Sequence, residues 1–163
     1  MKKILIASLA ATLLFAACKK SNDDDGGAQP VTNTTRLSAT PWVYKSAGFD
    51  MDRNGTIDQD LPAGTMTPCR LDNQYIFAAG GTGTMNEGAT KCNAGDPQTA
   101  PFTWAFANNE TSIDLGGTAL FGLGGRFKVW ALNDTLLSMA RDSTITVPPL
   151  PPTSISILIN LKH

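Results

Sequence analysis

Two cysteines frame the segment that most limits how this chain can fold. Cys69 and Cys92 stand 23 residues apart and enclose two strand-like runs, residues 73–78 and 83–87, with a glycine-rich turn between them. Short alternating runs joined by a tight turn are typical of a β-hairpin. A disulfide that closes a loop of this length contributes about 3 kcal/mol in the chain-entropy account. The segment therefore predicts a hairpin with a covalent clasp.

The rest of the chain repeats this pattern of short alternating strands and turns. Its fifteen Gly and ten Pro favour turns and strands over helices. Strands that follow one another closely usually pair with their neighbours, and a meander protects its edges by closing. We therefore predict an all-β fold, an antiparallel meander closing into a barrel of about eight strands. The predicted strands are residues 42–49, 73–78, 83–87, 102–106, 112–115, 126–132, 135–141 and 153–162, with short pieces at 120–121 and 144–147.

The alternation of side chains predicts which residues share a face of each strand. In the first strand, Trp42, Tyr44 and Ser46 share one face. Farther along the chain, Trp130 and Leu132 share another. Large apolar residues that recur in this way are expected on the inner face of a barrel.

The first residues predict an export signal and are left out of the fold. Lys2 and Lys3 are followed by an apolar run, residues 4–15, which is shorter than the ~20 residues of a membrane-spanning helix. Small residues then stand immediately before Cys18. This arrangement resembles the lipobox of bacterial lipoproteins, which implies that residues 1–17 are a signal peptide and that Cys18 is lipidated. The alternative is an ordinary secretory signal in which Cys18 plays no part.

The lipobox resemblance implies a lipid-anchored protein of the bacterial cell envelope, expected on the periplasmic or cell-surface face of the outer membrane. Lipidation of Cys18 would leave Cys69 and Cys92 as one pair in an oxidising compartment, so we predict a disulfide between them, with two free thiols as the alternative. Residues 18–35 are polar and predict a flexible tether. The folded domain is expected over residues 36–163, beginning with a helical turn.

An Asp-rich loop follows the first predicted strand and has most of the spacing of an EF-hand-type calcium loop. Its glycine stands at the sixth position, but Leu61 replaces the glutamate that closes such a loop. The alternative is a turn held by hydrogen bonds from Asp and Asn side chains. The candidate calcium ligands are Asp50, Asp52, Asn54, Thr56 and Asp58.

A group of short motifs extends from the hairpin into the following strand. They are Cys69, Asp72-Asn73, Phe77, Gly81-Thr82-Gly83-Thr84, Asn86-Glu87-Gly88-Ala89-Thr90-Lys91-Cys92, Asp96-Pro97-Gln98-Thr99 and Phe102-Thr103-Trp104. This stretch resembles the lipocalin-like domains of Bacteroidetes lipoproteins. The resemblance covers roughly residues 36–163 and implies an eight-stranded up-and-down barrel with one open end. It implies little about the ligand.

Composition and motifs exclude several functions. The formal net charge of −1 has no dominant sign, so no nucleic-acid partner is expected. The only histidine, His163, is the last residue, which leaves Ser-His-Asp or Cys-His catalysis without a credible base. No zinc-ligand cluster and no phosphate-binding loop occur in the sequence. We therefore expect a protein that is not an enzyme.

Aromatic side chains provide the remaining indication of function. They could line a cavity for a small apolar or glycan ligand, or they could simply fill the barrel. The first case predicts a non-catalytic binding barrel. The second predicts an envelope or cell-surface structural or interaction module with no small-molecule ligand. The candidate ligand-binding residues are Tyr75, Phe77, Phe102, Trp104, Phe106 and Trp130.

The export prediction is tested by intact mass spectrometry of the protein recovered from the cell envelope. We expect a chain that begins at an acylated Cys18, because the lipobox resemblance implies cleavage immediately before that residue. An unprocessed start would contradict the prediction, as would a mature start at another residue.

Overall fold

Nine antiparallel strands form one sheet, and pairing between its first and last long strands closes eight of them into a barrel. In this computed structural model, residues 30–146, 149 and 151–163 are described, and Val31–His163 forms one unit. The all-β fold, the antiparallel meander and the lipocalin-like closure are therefore confirmed. The predicted signal peptide, Cys18 and the tether up to residue 29 lie outside the described residues.

Apart from β2, the strands lie side by side in the sheet in the order in which they occur in the sequence. Two short helices precede strands of the barrel, and the two-residue strand β2 pairs only with β1. The elements are α1 (Asn33–Leu37), β1 (Trp42–Asp50), β2 (Gln59–Asp60), α2 (Pro68–Leu71), β3 (Gln74–Ala78), β4 (Thr82–Asn86), β5 (Thr99–Ala107), β6 (Ser112–Leu120), β7 (Leu123–Leu132), β8 (Leu136–Ile145) and β9 (Thr153–Lys162).

The folded unit begins earlier than residue 36. Helix α1 starts at Asn33 because the Thr32 hydroxyl accepts a hydrogen bond of 3.1 Å from the backbone N–H of Thr35. Leu37 is fully buried, and its carbonyl accepts a hydrogen bond of 2.9 Å from the indole N–H of Trp42. Residues 33–35, which the sequence assigned to the tether, therefore belong to the domain.

Aromatic rings fill much of the barrel interior. Phe77 packs edge-on against Phe102 and Trp104, with ring centroids 5.2 and 5.9 Å apart. The indole N–H of Trp104 lies 3.0 Å from the carbonyl oxygens of Ala78 and Thr82, so this large buried ring has no unsatisfied polar atom. The strand predicted at residues 102–106 is confirmed, and its side chains alternate between the interior and the exposed face.

Two irregularities in the strand pairing change the predicted faces. The β1–β9 register shifts between Tyr44 and Ser46, so Ala47 is buried where Ser46 was expected. The β7–β8 register shifts between Val129 and Ala131, so Leu132 packs on the core with Phe127 and does not share a face with Trp130. Each bulge adds one residue to a strand and exchanges inward and outward positions beyond it. Simple alternation is wrong at both places.

The structure also corrects two predicted boundaries. The separate apolar piece at residues 120–121 is the end of β6 and the start of a two-residue turn, because Phe121 and Gly122 have φ of 53° and 81°. The predicted turn at residues 142–143 lies within β8, which pairs with β9 throughout. There the Ser156 hydroxyl donates a 2.7 Å hydrogen bond to the Asp142 carboxylate.

Glycine at position 83 is required by close packing inside the barrel. A β-carbon there would overlap the Phe102 ring on the neighbouring strand, whereas one at Gly80 would contact nothing. We expect Gly83→Ala to lower the free energy of unfolding by roughly 1–3 kcal/mol, because overpacking displaces the ring. Gly80→Ala is the matched control, with a change within about 0.5 kcal/mol. Denaturant unfolding measures both, and equal effects would contradict this packing.

Candidate functional site

An apolar pocket of about 190 Å³ lies between the barrel wall and the segment that connects β2 to β3. We name it the connector pocket. Its wall comes from β1 and β9, one side comes from the β6–β7 turn, and the connecting segment, residues 61–73, supplies the rest. The lining residues are Ala47, Leu61, Thr65, Met66, Arg70, Phe121, Leu123, Ile157 and Ile159.

Five of the six predicted ligand-binding residues lie together inside the barrel, where they pack on one another. The space beside Tyr75, Phe77 and Phe102 is about 10 Å³, at or below the volume that one water requires. Trp104 and Phe106 continue the cluster, with their ring centroids 5.5 Å apart. These five side chains are therefore a packed part of the core.

Trp130, the sixth predicted residue, lies apart from the other five, on the outer side of the barrel. The Lys128 ammonium is 3.3 Å from the centre of its ring. Gly55 covers the ring as well, since a β-carbon there would approach it to 2.7 Å. The indole N–H is buried and has no hydrogen-bond partner. The bulge in β7 explains this placement.

Phe121 is a lining residue that sequence reasoning missed. It occupies the left-handed region at φ 53°, which is uncommon for a bulky side chain and costs roughly 1–2 kcal/mol. Tyr44 and Tyr75 hold its ring edge-on, with centroids 5.7 and 5.4 Å away. Strain that is maintained by surrounding contacts is common at functional sites. The only signal in the sequence was an aromatic residue directly before a glycine.

The connecting segment is fastened to the loop after β4. The predicted disulfide between Cys69 and Cys92 is confirmed, with a Cα–Cα distance of 5.1 Å. One carboxylate oxygen of Asp72 accepts hydrogen bonds of 3.0 and 2.9 Å from the backbone N–H groups of Ala89 and Thr90. These links join α2 to the hairpin on both sides of Arg70, so the position of Arg70 at the pocket is fixed by the fold.

Arg70 and Tyr75 supply the polar chemistry near this pocket. Among the described residues, Arg70 forms no ion pair with a carboxylate. The hydroxyl of Tyr75 is buried beside the Asn73 side chain and the Phe121 backbone, and neither forms a hydrogen bond of good geometry with it. Burial raises the pKa of Tyr75 to about 12, and Asn73, the Phe121 backbone and, to the smallest extent, the Arg70 charge offset part of that rise. The hydroxyl therefore stays protonated at physiological pH.

The Asp-rich loop brings three of the five predicted calcium ligands together. One carboxylate oxygen each of Asp50, Asp52 and Asp58 can lie within 4.8 Å of one another. Asp50 is fully buried, and its two oxygens accept hydrogen bonds of 2.9 and 2.8 Å from the backbone N–H groups of Asn54 and Gly55. Its carboxylate therefore also holds the turn in shape.

The other two predicted ligands contact each other. The side-chain oxygen of Asn54 accepts hydrogen bonds from the backbone N–H and the hydroxyl of Thr56. This is the Asx-type turn that the sequence left open as the alternative. Three carboxylates suit a hard cation, but Ca²⁺ takes six to eight oxygens, so water would have to complete the shell. Calcium binding stays a prediction, and it would be weak.

No protein-family model, curated protein or solved structure matches this chain. Within the part of the chain that the structure describes, no helix is long and apolar enough to cross a membrane. The fold and the site together define an eight-stranded antiparallel barrel with an aromatic core and a small apolar pocket under its connecting segment.

The calcium prediction is tested by thermal unfolding in 10 mM calcium and in chelator. With a Kd on the order of 1 mM, calcium should stabilise the domain by about 1.4 kcal/mol and raise the Tm by several degrees. Asp58→Asn should abolish this rise because it removes one of the three clustered carboxylates. Asp60→Asn, outside the cluster, should leave it intact. A wild-type Tm that is the same in both solutions would contradict calcium binding.

Proposed function

We propose that this chain is a lipid-anchored envelope protein whose barrel binds one small apolar molecule without catalysis. The observation that supports binding is the connector pocket, whose lining is mostly apolar and is partly covered by the connecting segment. The pocket is slightly larger than an engineered cavity of about 150 Å³ that stays dry and binds benzene in another protein. A volume of about 190 Å³ therefore suits a ligand with a single ring or a short chain.

The lining favours an apolar ligand over a glycan. Apart from Thr65 and Arg70, the residues around the pocket are alanine, leucine, isoleucine, methionine and phenylalanine. A sugar would have to give up its water for a surface with few hydrogen-bonding partners, which is unfavourable. An apolar molecule is favoured by about 25 cal/mol for each Å² of surface that it buries. The ligand class is thus small and mainly hydrophobic.

The one histidine and the ion-paired Asp114 are poorly suited to acid–base catalysis at the connector pocket. The imidazole of His163 contacts the Thr40 hydroxyl and lies over Trp42, with ring centroids 3.7 Å apart. Asp114 is held by Arg126 through two hydrogen bonds of 2.7 Å, which lower the pKa of its carboxyl group. A carboxylate kept ionised in this way is a poor general acid. Neither group lines the connector pocket.

The anchoring part of the proposal depends on the sequence features around Cys18 and on the resemblance to Bacteroidetes lipoproteins with lipocalin-like domains. An exported chain would meet oxidising conditions, and the Cys69–Cys92 disulfide agrees with such a compartment. Stable attachment to a membrane needs more than one acyl chain, which a lipidated N-terminal cysteine supplies. The location proposed is the outer membrane.

A second candidate is a structural or interaction module of the envelope that binds no small molecule. The dense packing of Tyr75, Phe77 and Phe102 favours this alternative, because most of the barrel interior has no room for a ligand. The first proposal requires that the connector pocket bind a ligand, and the second requires that it bind none. A direct binding measurement therefore separates them.

Benzyl alcohol is a suitable uncharged probe, and its binding can be followed by an NMR titration. We expect saturable binding at one site with a Kd on the order of 1 mM, as is reasonable for so small a ligand. Ala47→Ile should weaken binding at least tenfold because the larger side chain fills the pocket. Ala105→Ile, on the exposed face of β5, is the matched control and should bind as the wild type does. Absence of saturable binding to the wild type would favour the module.

A further inference from the structure

We infer that the ligand of the connector pocket is a small organic acid, whose apolar part enters the pocket and whose carboxylate is bound by Arg70. This inference depends on the proposed binding function and names the ligand class for the same site. It assigns Arg70 as the residue that determines specificity.

The charge at the connector pocket is complementary to an anionic ligand. Within the part of the chain that the structure describes, the residues that line the pocket include one charged side chain, Arg70, and no acidic one. Among the described residues, acidic groups pair with Arg36 and Arg126 instead. A cation at the rim of an apolar pocket, without a carboxylate partner from the described protein, is complementary to an anionic group on a ligand.

The shape of the Arg70 side chain suits a carboxylate at the rim of the pocket. Arg70 is exposed as a residue yet contributes to the pocket lining, which is the arrangement of an arginine whose stem covers apolar surface while its guanidinium reaches water. A ligand with its apolar part among Leu123, Ile157 and Ile159 would therefore place a terminal polar group near the guanidinium. Its planar array of N–H donors matches the two oxygens of a carboxylate.

The segment that carries Arg70 is attached firmly to the loop after β4. Arg70 lies between Cys69, which is bonded to Cys92, and Leu71 at the end of α2. Asp72 then binds two backbone N–H groups of the loop after β4. The backbone that carries Arg70 is therefore held in place, so binding a ligand costs freedom of the side chain but requires no further ordering of the main chain.

Without Arg70, the pocket should prefer an uncharged alcohol to an acid of the same size. A carboxylate loses favourable hydration when it approaches an apolar surface, so an uncharged alcohol of the same size should bind better. Preference for the acid therefore requires a cation at the pocket. Since the guanidinium is exposed, the preference should decrease as ionic strength rises.

The experiment compares benzoate with benzyl alcohol in NMR titrations of the full folded domain at low salt. We expect benzoate to bind on the order of tenfold more tightly than benzyl alcohol, as for a charge-assisted contact near solvent. Arg70→Gln should reverse this preference: it should weaken benzoate by more than tenfold, whereas benzyl alcohol should weaken by a smaller factor, because the alcohol needs no cation and loses only the cover of a slightly longer side chain. Lys45→Gln removes the same charge from an exposed position on β1 and should alter neither affinity. Unchanged Tm values confirm that both variants fold.

The outcomes separate this inference from the proposed function. Equal affinity of the wild type for the two probes would overturn the role of Arg70 and leave apolar binding in place. Tighter benzoate binding that survives Arg70→Gln, or that Lys45→Gln weakens equally, would also overturn it, because general surface charge would then explain the preference. Failure of both probes to bind would remove the inference together with the proposed function.

Discussion

The hydrogen-bonded ladder between β1 and β9 is the interaction on which the rest of the structure depends. It runs from Val43 paired with Lys162 to Asp50 paired with Ser156, and it turns an open meander into a closed ring. Closure removes the two long edges and gives every strand an inner and an outer face. The same ladder brings Ala47 beside Ile159, so two walls of the connector pocket exist only because the ends of the domain meet.

The interior of the barrel has two parts, one filled by densely packed rings and one that faces the connector pocket. Edge-to-face rings around Phe77 and Trp104 occupy one part of the barrel and leave no room for a ligand. Smaller aliphatic side chains on β1 and β9 face the other part, where the strained turn at Phe121 and the disulfide-linked segment around Arg70 complete the pocket. The covalent link therefore supports both the fold and the candidate site, because it fastens the segment that carries the one charged lining residue.

Period-two alternation was enough to predict the barrel and its closing strand. The bounds of β9 agree with the sequence prediction because Ile155, Ile157, Ile159 and Leu161 recur at every second position. Alternation failed at the bulges in β1 and β7, since one extra residue reverses the faces and leaves no mark in composition. Trp130 was misplaced for that reason. The pocket was missed because its lining combines Ala47, Arg70 and Phe121, which lie far apart in sequence and meet only after the barrel closes.

The central claim is that a small apolar ligand enters the connector pocket and does not enter the packed rings around Phe77 and Phe102. Intermolecular nuclear Overhauser effects between benzyl alcohol and the labelled protein test it most directly. The account predicts contacts from the probe's ring to the methyl groups of Leu123, Ile157 and Ile159, and none to the rings of Phe77 or Phe102. Contacts to those two rings would contradict the account, as would a bound probe that lies only on the outer face of the barrel.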